Sequence, residues 1–151
     1  MYHSIVRSIV RTAFQTLSEG DKADLNSILK LFAPDARFSF SGEHALGGAR
    51  QGHLSIRAWF ERFQRIFPEI HFTVQRILVS GWLWNTLVNT FFTVQAQLPD
   101  GTLYQNEGLQ VLRICWGKIK EDHLFEDISK LQNALRCLET HGVQEAGADP
   151  L

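Results

Sequence analysis

The chain has 151 residues, a net charge of −1, and 44% hydrophobic against 21% charged residues. This length is typical of one domain that can bury a substantial core. The near-neutral charge supplies no basic field for nucleic acid, and no apolar run approaches the roughly 18 residues that cross a bilayer. We therefore expect no nucleic-acid partner and no membrane.

The cysteine content and the N-terminal residues indicate the cellular compartment of the protein. Cys115 and Cys137 form no C-x-x-C pair, and two cysteines are too few for a disulfide framework. The first residues lack the ordered basic, apolar and small-residue regions of a signal peptide. These features predict a cytoplasmic protein.

Three amphipathic segments in the first half predict helices. Residues 4–17 carry two adjacent apolar rows and end at Gly20. The second helix begins at Asp21 and ends at Pro34, because proline has no N–H to donate. The third carries an aromatic stripe and ends at Pro68. We interpret it as a core helix, with the alternative that Trp59 and Phe63 also form a wall of a ligand cavity.

The rest of the chain is predominantly β in pattern. Residues 37–40 alternate like a strand, and the glycine-rich segment 41–52 is predicted to be a mobile loop over a pocket mouth. Strands at 70–79, 82–97, 103–115 and 119–127 follow with short turns, which is typical of an antiparallel meander. A closing helix is predicted at 128–138. We expect one domain over residues 1–141 and a flexible tail over 142–151.

This order of elements predicts an α+β fold. A cone-shaped, curved, mostly antiparallel sheet is packed by three helices, with a C-terminal helix after the last strand, and holds one small apolar ligand. Strands between residues 84 and 115 are apolar on both faces, whereas the helices cover one face. We expect a homodimer in which a second copy covers the outer sheet face.

Three blocks of sequence carry a family resemblance: residues 18–36, 52–60 and 117–127. With these blocks the chain resembles the nuclear transport factor 2-like superfamily, and within it the SnoaL-like polyketide cyclase and ketosteroid isomerase-like branch. The resemblance implies the conical fold. It leaves the activity open, since such domains include isomerases, cyclases, epoxide hydrolases, dehydratases and non-catalytic binding proteins.

Residue-by-residue comparison with the family argues against two of these activities. The catalytic base of ketosteroid isomerases falls at Phe40 or Ser41, and their oxyanion-stabilising tyrosine and aspartate fall at Ala13 and near Gln110. The paired Arg and Asp of the epoxide hydrolases have no counterpart in residues 84–94, which hold no charge. The resemblance therefore argues against a classical ketosteroid isomerase or epoxide hydrolase.

The resemblance to SnoaL-like cyclases implies one acid/base aspartate near the end of the last strand, which would be Asp127. The alternative is that Asp127 caps the following helix. His123 lies four residues earlier, on the same side of a regular strand, and is a candidate proton partner or a partly exposed strand residue. A β-bulge in this strand would present Asp122 or Glu126 to the pocket instead.

Tyr104, Asn106 and Gln110 share one face of the penultimate strand. They are candidate substrate-binding residues, alternatively a solvent-facing or interface row. His44 and His53 lack metal-site spacing, so we expect no metal and no cofactor. The sequence predicts a cofactor-free acid/base enzyme acting on a small apolar carbonyl compound. The alternative is a non-catalytic domain that binds a hydrophobic ligand or a protein. An inward carboxylate would favour the enzyme.

Overall fold

The computed structural model describes all 151 residues, which form four α-helices, two short 3₁₀ helices and six strands. The α-helices are α1 (Tyr2–Leu17), α2 (Leu25–Leu29), α3 (His53–Ile66) and α4 (Ile128–Thr140). The strands are β1 (Phe32–Phe40), β2 (Gly48–Gln51), β3 (Ile70–Trp82), β4 (Asn85–Gln97), β5 (Leu103–Cys115) and β6 (Lys118–Glu126). The 3₁₀ helices span Gly20–Lys22 and Gln144–Gly147.

The strands form one curved sheet in the order β2-β1-β6-β5-β4-β3. Only β1 and β6 run parallel, and every other neighbouring pair is antiparallel. The predicted α+β architecture is confirmed, including the C-terminal helix that follows the last strand. All four α-helices contribute buried side chains to the core, which packs against the sheet.

Helix α1 carries two apolar rows with different surroundings. Val6, Val10 and Phe14 are buried in the core. Ile5 and Ile9 form the adjacent row, and about half of each side chain remains exposed. The core-facing side of α1 is therefore formed by the first row, and the second row remains partly accessible to solvent.

Helix α2 is shorter than the sequence pattern predicts. Asp24, rather than Asp21, caps it by accepting a hydrogen bond from the backbone N–H of Asn26 at 3.0 Å. The helix ends at Leu29, and Pro34 lies inside β1. Strand β1 accommodates the proline because its pairing with β6 is interrupted between Phe32 and Arg37.

The glycine-rich segment is folded and does not form a lid. Its residues Gly48–Gln51 pair with β1, while Ala45 and Leu46 are buried. The Trp59 ring N–H donates to the Leu46 carbonyl at 2.7 Å, which ties the loop to α3. The prediction of a mobile loop over the pocket mouth is therefore wrong.

The last ten residues also pack on the domain. Glu145 accepts hydrogen bonds from Arg62 Nε at 3.1 Å and from Arg65 Nε at 2.7 Å. Ala146 is buried, and the Asp149 carbonyl accepts from Arg62 at 2.7 Å. These contacts hold the tail on α3, where the sequence pattern predicts a flexible end.

The predicted start of the strand at 82–97 is a turn. Strand β3 extends to Trp82, and Leu83-Trp84 connects it to β4. None of the helices has both the length and the apolar character needed to cross a membrane.

Candidate functional site: an apolar cavity with one carboxyl group

A bulge in β6 determines which of its side chains face inward. The β5–β6 register pairs Arg113 with Glu121 but Ile114 with Ile119, so Lys120 is the extra residue. Ile119 and Asp122 are both buried on the concave side, although residues three apart face opposite sides of a regular strand. The bulge thus places Asp122 on the concave face.

A cavity of about 270 Å³ lies between α1, α2 and the concave face of β5 and β6. Its volume is near the lower end of ligand pockets, which span roughly 300–1,000 Å³. Apart from Gln110, Gly117 and Asp122, every lining residue is apolar or aromatic. The full lining is Tyr2, Ile5, Val6, Ile9, Val10, Ala13, Phe14, Leu17, Ile28, Leu31, Phe32, Phe60, Gln110, Leu112, Ile114, Gly117, Ile119 and Asp122.

The cavity opens between α1 and the β5–β6 turn. Ile5 and Ile9 line it and are half-exposed, and the exposed Gly117 lies on the facing turn. Asp122 is only 2% exposed, so its carboxyl group lies at the closed side. A ligand that enters at the mouth would meet apolar side chains first and the carboxyl group last.

The electrostatics of Asp122 follow from its burial. Its Oδ2 accepts a hydrogen bond from Gln110 Nε2 at 3.3 Å, while its buried Oδ1 has no partner. Loss of solvation disfavours the charged form and raises the pKa of Asp122 to about 8, an effect that the Gln110 hydrogen bond only partly offsets. At neutral pH the group is therefore mostly a neutral carboxylic acid.

Asp127 lies at the exposed N-terminus of α4 and not in the cavity. Its Oδ1 accepts from the Ser129 backbone N–H at 3.1 Å and the Ser129 hydroxyl at 2.9 Å, at the start of α4. The side chain is exposed, and its hydrogen bonds to Ser129 and Lys130 lower its pKa. Asp127 does not line the cavity. The structure supports the capping interpretation of this residue.

The other predicted residues of the last strand and of α3 also lie away from the cavity. His123 is on the opposite face of β6 from Asp122, and its Nδ1 is 2.6 Å from the Ser39 hydroxyl. Trp59 and Phe63 are buried and stack with ring centroids 5.3 Å apart. These two rings form part of the core and do not line the cavity.

The predicted polar row on β5 is divided between two places. Gln110 lines the cavity, whereas Tyr104 and Asn106 belong to a second buried polar cluster with Glu126. The Tyr104 hydroxyl donates to Glu126 Oε1 at 2.8 Å, and Asn106 Nδ2 donates to the Asp127 carbonyl at 2.9 Å. Burial raises the pKa of Glu126 to about 7. This cluster lies toward the start of β5 and outside the cavity lining.

Two parts of the site were not assigned from the sequence. Asp122 appeared only as the consequence of a possible bulge, which strand alternation alone does not reveal. The cavity row of α1, including Ile5 and Ile9, was predicted only as part of an amphipathic helix. Its signal was an apolar stripe wider than one packed face requires.

No group of three or more His, Cys, Asp or Glu side chains lies close enough to hold a metal ion.

The family model described as the SnoaL-like domain matches residues 10–122. The chain belongs to the SnoaL-like family. The match runs from α1 to the cavity carboxyl group of this SnoaL-like protein, and so covers most of the cavity lining. No curated protein matches the chain in sequence.

Solved structures with the same fold are similar over most of the chain. PrhC from Penicillium brasilianum is 17% identical, with a TM-score of 0.72 over 92% of this chain and 89% of that chain. TerC, co-crystallised with polyporic acid, is 16% identical, with a TM-score of 0.69 over 84% and 95%. A Jannaschia protein assigned as a SnoaL-like polyketide cyclase is 17% identical, with a TM-score of 0.63 over 84% and 91%. At these identities the likeness concerns the fold of this SnoaL-like domain.

Proposed function

We propose that this protein is a cofactor-free acid/base enzyme that transfers a proton on a small apolar carbonyl compound. The proposed catalytic residue is Asp122, in place of Asp127. The observation that carries the proposal is a buried carboxyl group at the closed side of an apolar cavity, with Oδ1 unpartnered. A buried polar atom without a partner is costly, so a ligand oxygen at this position would be favoured.

The chemistry follows from the protonation state of Asp122. The neutral acid donates its proton from Oδ1 to the substrate carbonyl oxygen, and the resulting carboxylate takes a proton from the adjacent carbon. The carbonyl compound becomes its enol, Asp122 returns to the acid form, and no proton is consumed. A pKa near the working pH suits a group that both donates and accepts. Gln110 holds Oδ2 and leaves Oδ1 without a partner inside the protein, free to bond a ligand oxygen.

Relatives of the same fold support a small organic substrate. One structural neighbour is assigned as a polyketide cyclase, and another was crystallised with polyporic acid. Apolar walls around the Asp122 carboxyl group and the Gln110 amide are suited to a largely hydrocarbon ligand with one oxygen function. We propose that the present chain acts on the same class of small organic ligand.

The second candidate function is binding of an apolar ligand without turnover. It is favoured by one observation: Asp122 is the only carboxyl group that lines the cavity. In that case the neutral carboxyl group hydrogen-bonds the ligand oxygen and no carbon–hydrogen bond breaks.

Deuterium exchange distinguishes the two functions without knowledge of the product. A panel of apolar cyclic ketones is incubated with the protein in D₂O, and mass spectrometry measures exchange at the carbon beside the carbonyl. We expect catalysed exchange with the native chain and a loss of roughly 10²–10⁴-fold in Asp122→Asn, the usual contribution of a positioned acid or base.

The matched control is Asp127→Asn, which removes an exposed carboxylate and keeps the helix cap, because Asn also caps well. It should exchange at the native rate. Ketone binding without exchange by the native chain would favour the binding function. Equal exchange by the folded Asp122→Asn variant would contradict the catalytic proposal.

A further inference from the structure

One end of the sheet displays a cluster of exposed tryptophans. The β3–β4 and β5–β6 turns lie side by side, and the Trp116 backbone N–H donates to the Leu83 carbonyl at 2.6 Å. The rings of Trp84 and Trp116 are 6.5 Å apart, and these residues are 59% and 70% exposed. Three of the four tryptophans lie here. We call Trp82, Leu83, Trp84 and Trp116 the tryptophan tip.

The tryptophan tip is continuous with α1. The Tyr2 ring packs edge-on against Trp82 with centroids 5.0 Å apart, and the Tyr2 hydroxyl is hydrogen-bonded to Thr86. From Tyr2 the apolar surface continues to Ile5 and Ile9, which line the cavity and remain half-exposed. The exposed apolar surface therefore reaches the cavity mouth at Ile5 and Ile9.

The charges around this surface are of one sign. Residues 1–18, 70–99 and 108–120 contain no aspartate or glutamate, and these segments supply α1, both turns, all of β3 and β4, and the ends of β5 and β6 that adjoin their turn. Arg11 on α1 and Lys118 beside the β5–β6 turn are exposed, and Arg7 is half-buried. A net charge of −1 for the whole chain conceals this acid-free, basic end.

We propose that the tryptophan tip and the outer face of α1 dock on an anionic lipid surface, from which apolar molecules enter the cavity. Tryptophan suits the boundary between headgroups and acyl chains, because its ring is apolar and its N–H can remain hydrated. A basic amphipathic helix beside it adds attraction to anionic headgroups. A second copy on the same surface would bring like charges together. The net charge and lack of a spanning segment led us to expect no membrane, but surface docking requires neither a basic chain nor a spanning helix.

Vesicle binding tests this proposal with the full chain and does not depend on catalysis. The probes are vesicles of phosphatidylcholine with 30% phosphatidylserine and vesicles of phosphatidylcholine alone. We expect co-sedimentation with the anionic vesicles, weakened by salt, and a blue shift of tryptophan emission. The emission reports on the tip because Trp59, the fourth tryptophan, is buried.

Two variants and one control make the test specific. Trp84→Ser with Trp116→Asn should weaken binding at least tenfold; Asn is chosen because Trp116 has a φ of 52°. Arg11→Glu should weaken binding to anionic vesicles while leaving the fold intact. Leu54→Ser removes an apolar residue that is 87% exposed on α3, away from the tip, and should bind as the native chain does.

Three results would overturn the proposal. The first is no co-sedimentation with either vesicle at millimolar lipid. The second is equal binding by the native chain and the folded tryptophan variant. The third is a concentration-dependent blue shift without lipid, together with loss of an oligomer in the tryptophan variant, which would identify a second copy as the occupant.

Discussion

At the residue scale, the Asp122 carboxyl group links stability to pH. Its pKa is about 8 in the folded protein against 3.8 for the free group, so the folded state keeps a proton that the unfolded state releases near pH 4. The free energy of unfolding should therefore fall as pH rises from about 4 to about 8 and then level off. The full effect is on the order of 6 kcal/mol, since each pKa unit corresponds to roughly 1.4 kcal/mol.

We expect Asp122→Asn to remove this pH dependence. The variant should unfold at a higher temperature than the native chain at pH 9, with a much smaller difference at pH 5, as measured by circular dichroism. Glu126, with a pKa raised to about 7, has the same sign and should leave a smaller slope that ends near pH 7. The same difference in unfolding temperature at both pH values would show that Asp122 ionises normally.

At the element scale, the register between β4 and β5 places Phe92 opposite Gly108. A Cβ atom on Gly108 would lie 2.2 Å from the Phe92 ring, which is itself packed between Phe14 and Phe72. Gly108→Ala should therefore destabilise the protein by about 1–3 kcal/mol through overpacking, measured by urea unfolding.

A second substitution tests the cause of that loss. Phe92→Leu in the Gly108→Ala background removes the ring that the new methyl group meets. The double variant should be more stable than the sum of the two single effects. Strict additivity would indicate that Gly108 is required for another reason.

The α4 N-cap gives another prediction at this scale. Asp127→Ala should cost about 1 kcal/mol, because the N–H groups of Ser129 and Lys130 lose their acceptor, whereas Asp127→Asn should be nearly neutral. Thermal unfolding of the two variants measures the difference. Equal losses would mean that the charge, rather than the cap, stabilises this helix end.

Element types were predictable from the sequence because their signals are local. The apolar rows of α1, the aromatic stripe of α3 and the short turn between the strands at 82–97 and 103–115 each depend on a few neighbouring residues. The end of α2 was not predictable from the sequence, because Pro34 does not end the helix. The proline lies in β1, where the pairing with β6 is interrupted. The inward position of Asp122 depends on a bulge whose partner, Arg113, lies on another strand. Long-range pairing of this kind leaves no local pattern.

At the scale of the whole molecule, the outer sheet face remains largely uncovered by the chain's own helices. Leu78, Leu87, Phe91 and Phe125 are each at least 40% exposed, and their strands β3, β4 and β6 belong to the same sheet. We propose a homodimer through this face, in an isologous contact that buries these side chains.

Sedimentation measures the dimer directly. At micromolar concentration the native chain should have twice the 17.2 kDa mass of one chain. Phe91→Arg, on the outer face, should shift the protein to a monomer, whereas Leu54→Arg on α3 should not. A native chain that stays monomeric would contradict this assembly.

The proposed function depends on proton transfer by the buried carboxyl group of Asp122 in the cavity. The pH dependence of catalysed deuterium exchange on a responsive ketone, after subtraction of the uncatalysed rate, tests it most directly. The rate should fall above about pH 8, where the acid form is lost, in protein shown by circular dichroism to be folded. An unchanged rate between pH 6 and 9, or an inflection near pH 4, would contradict it.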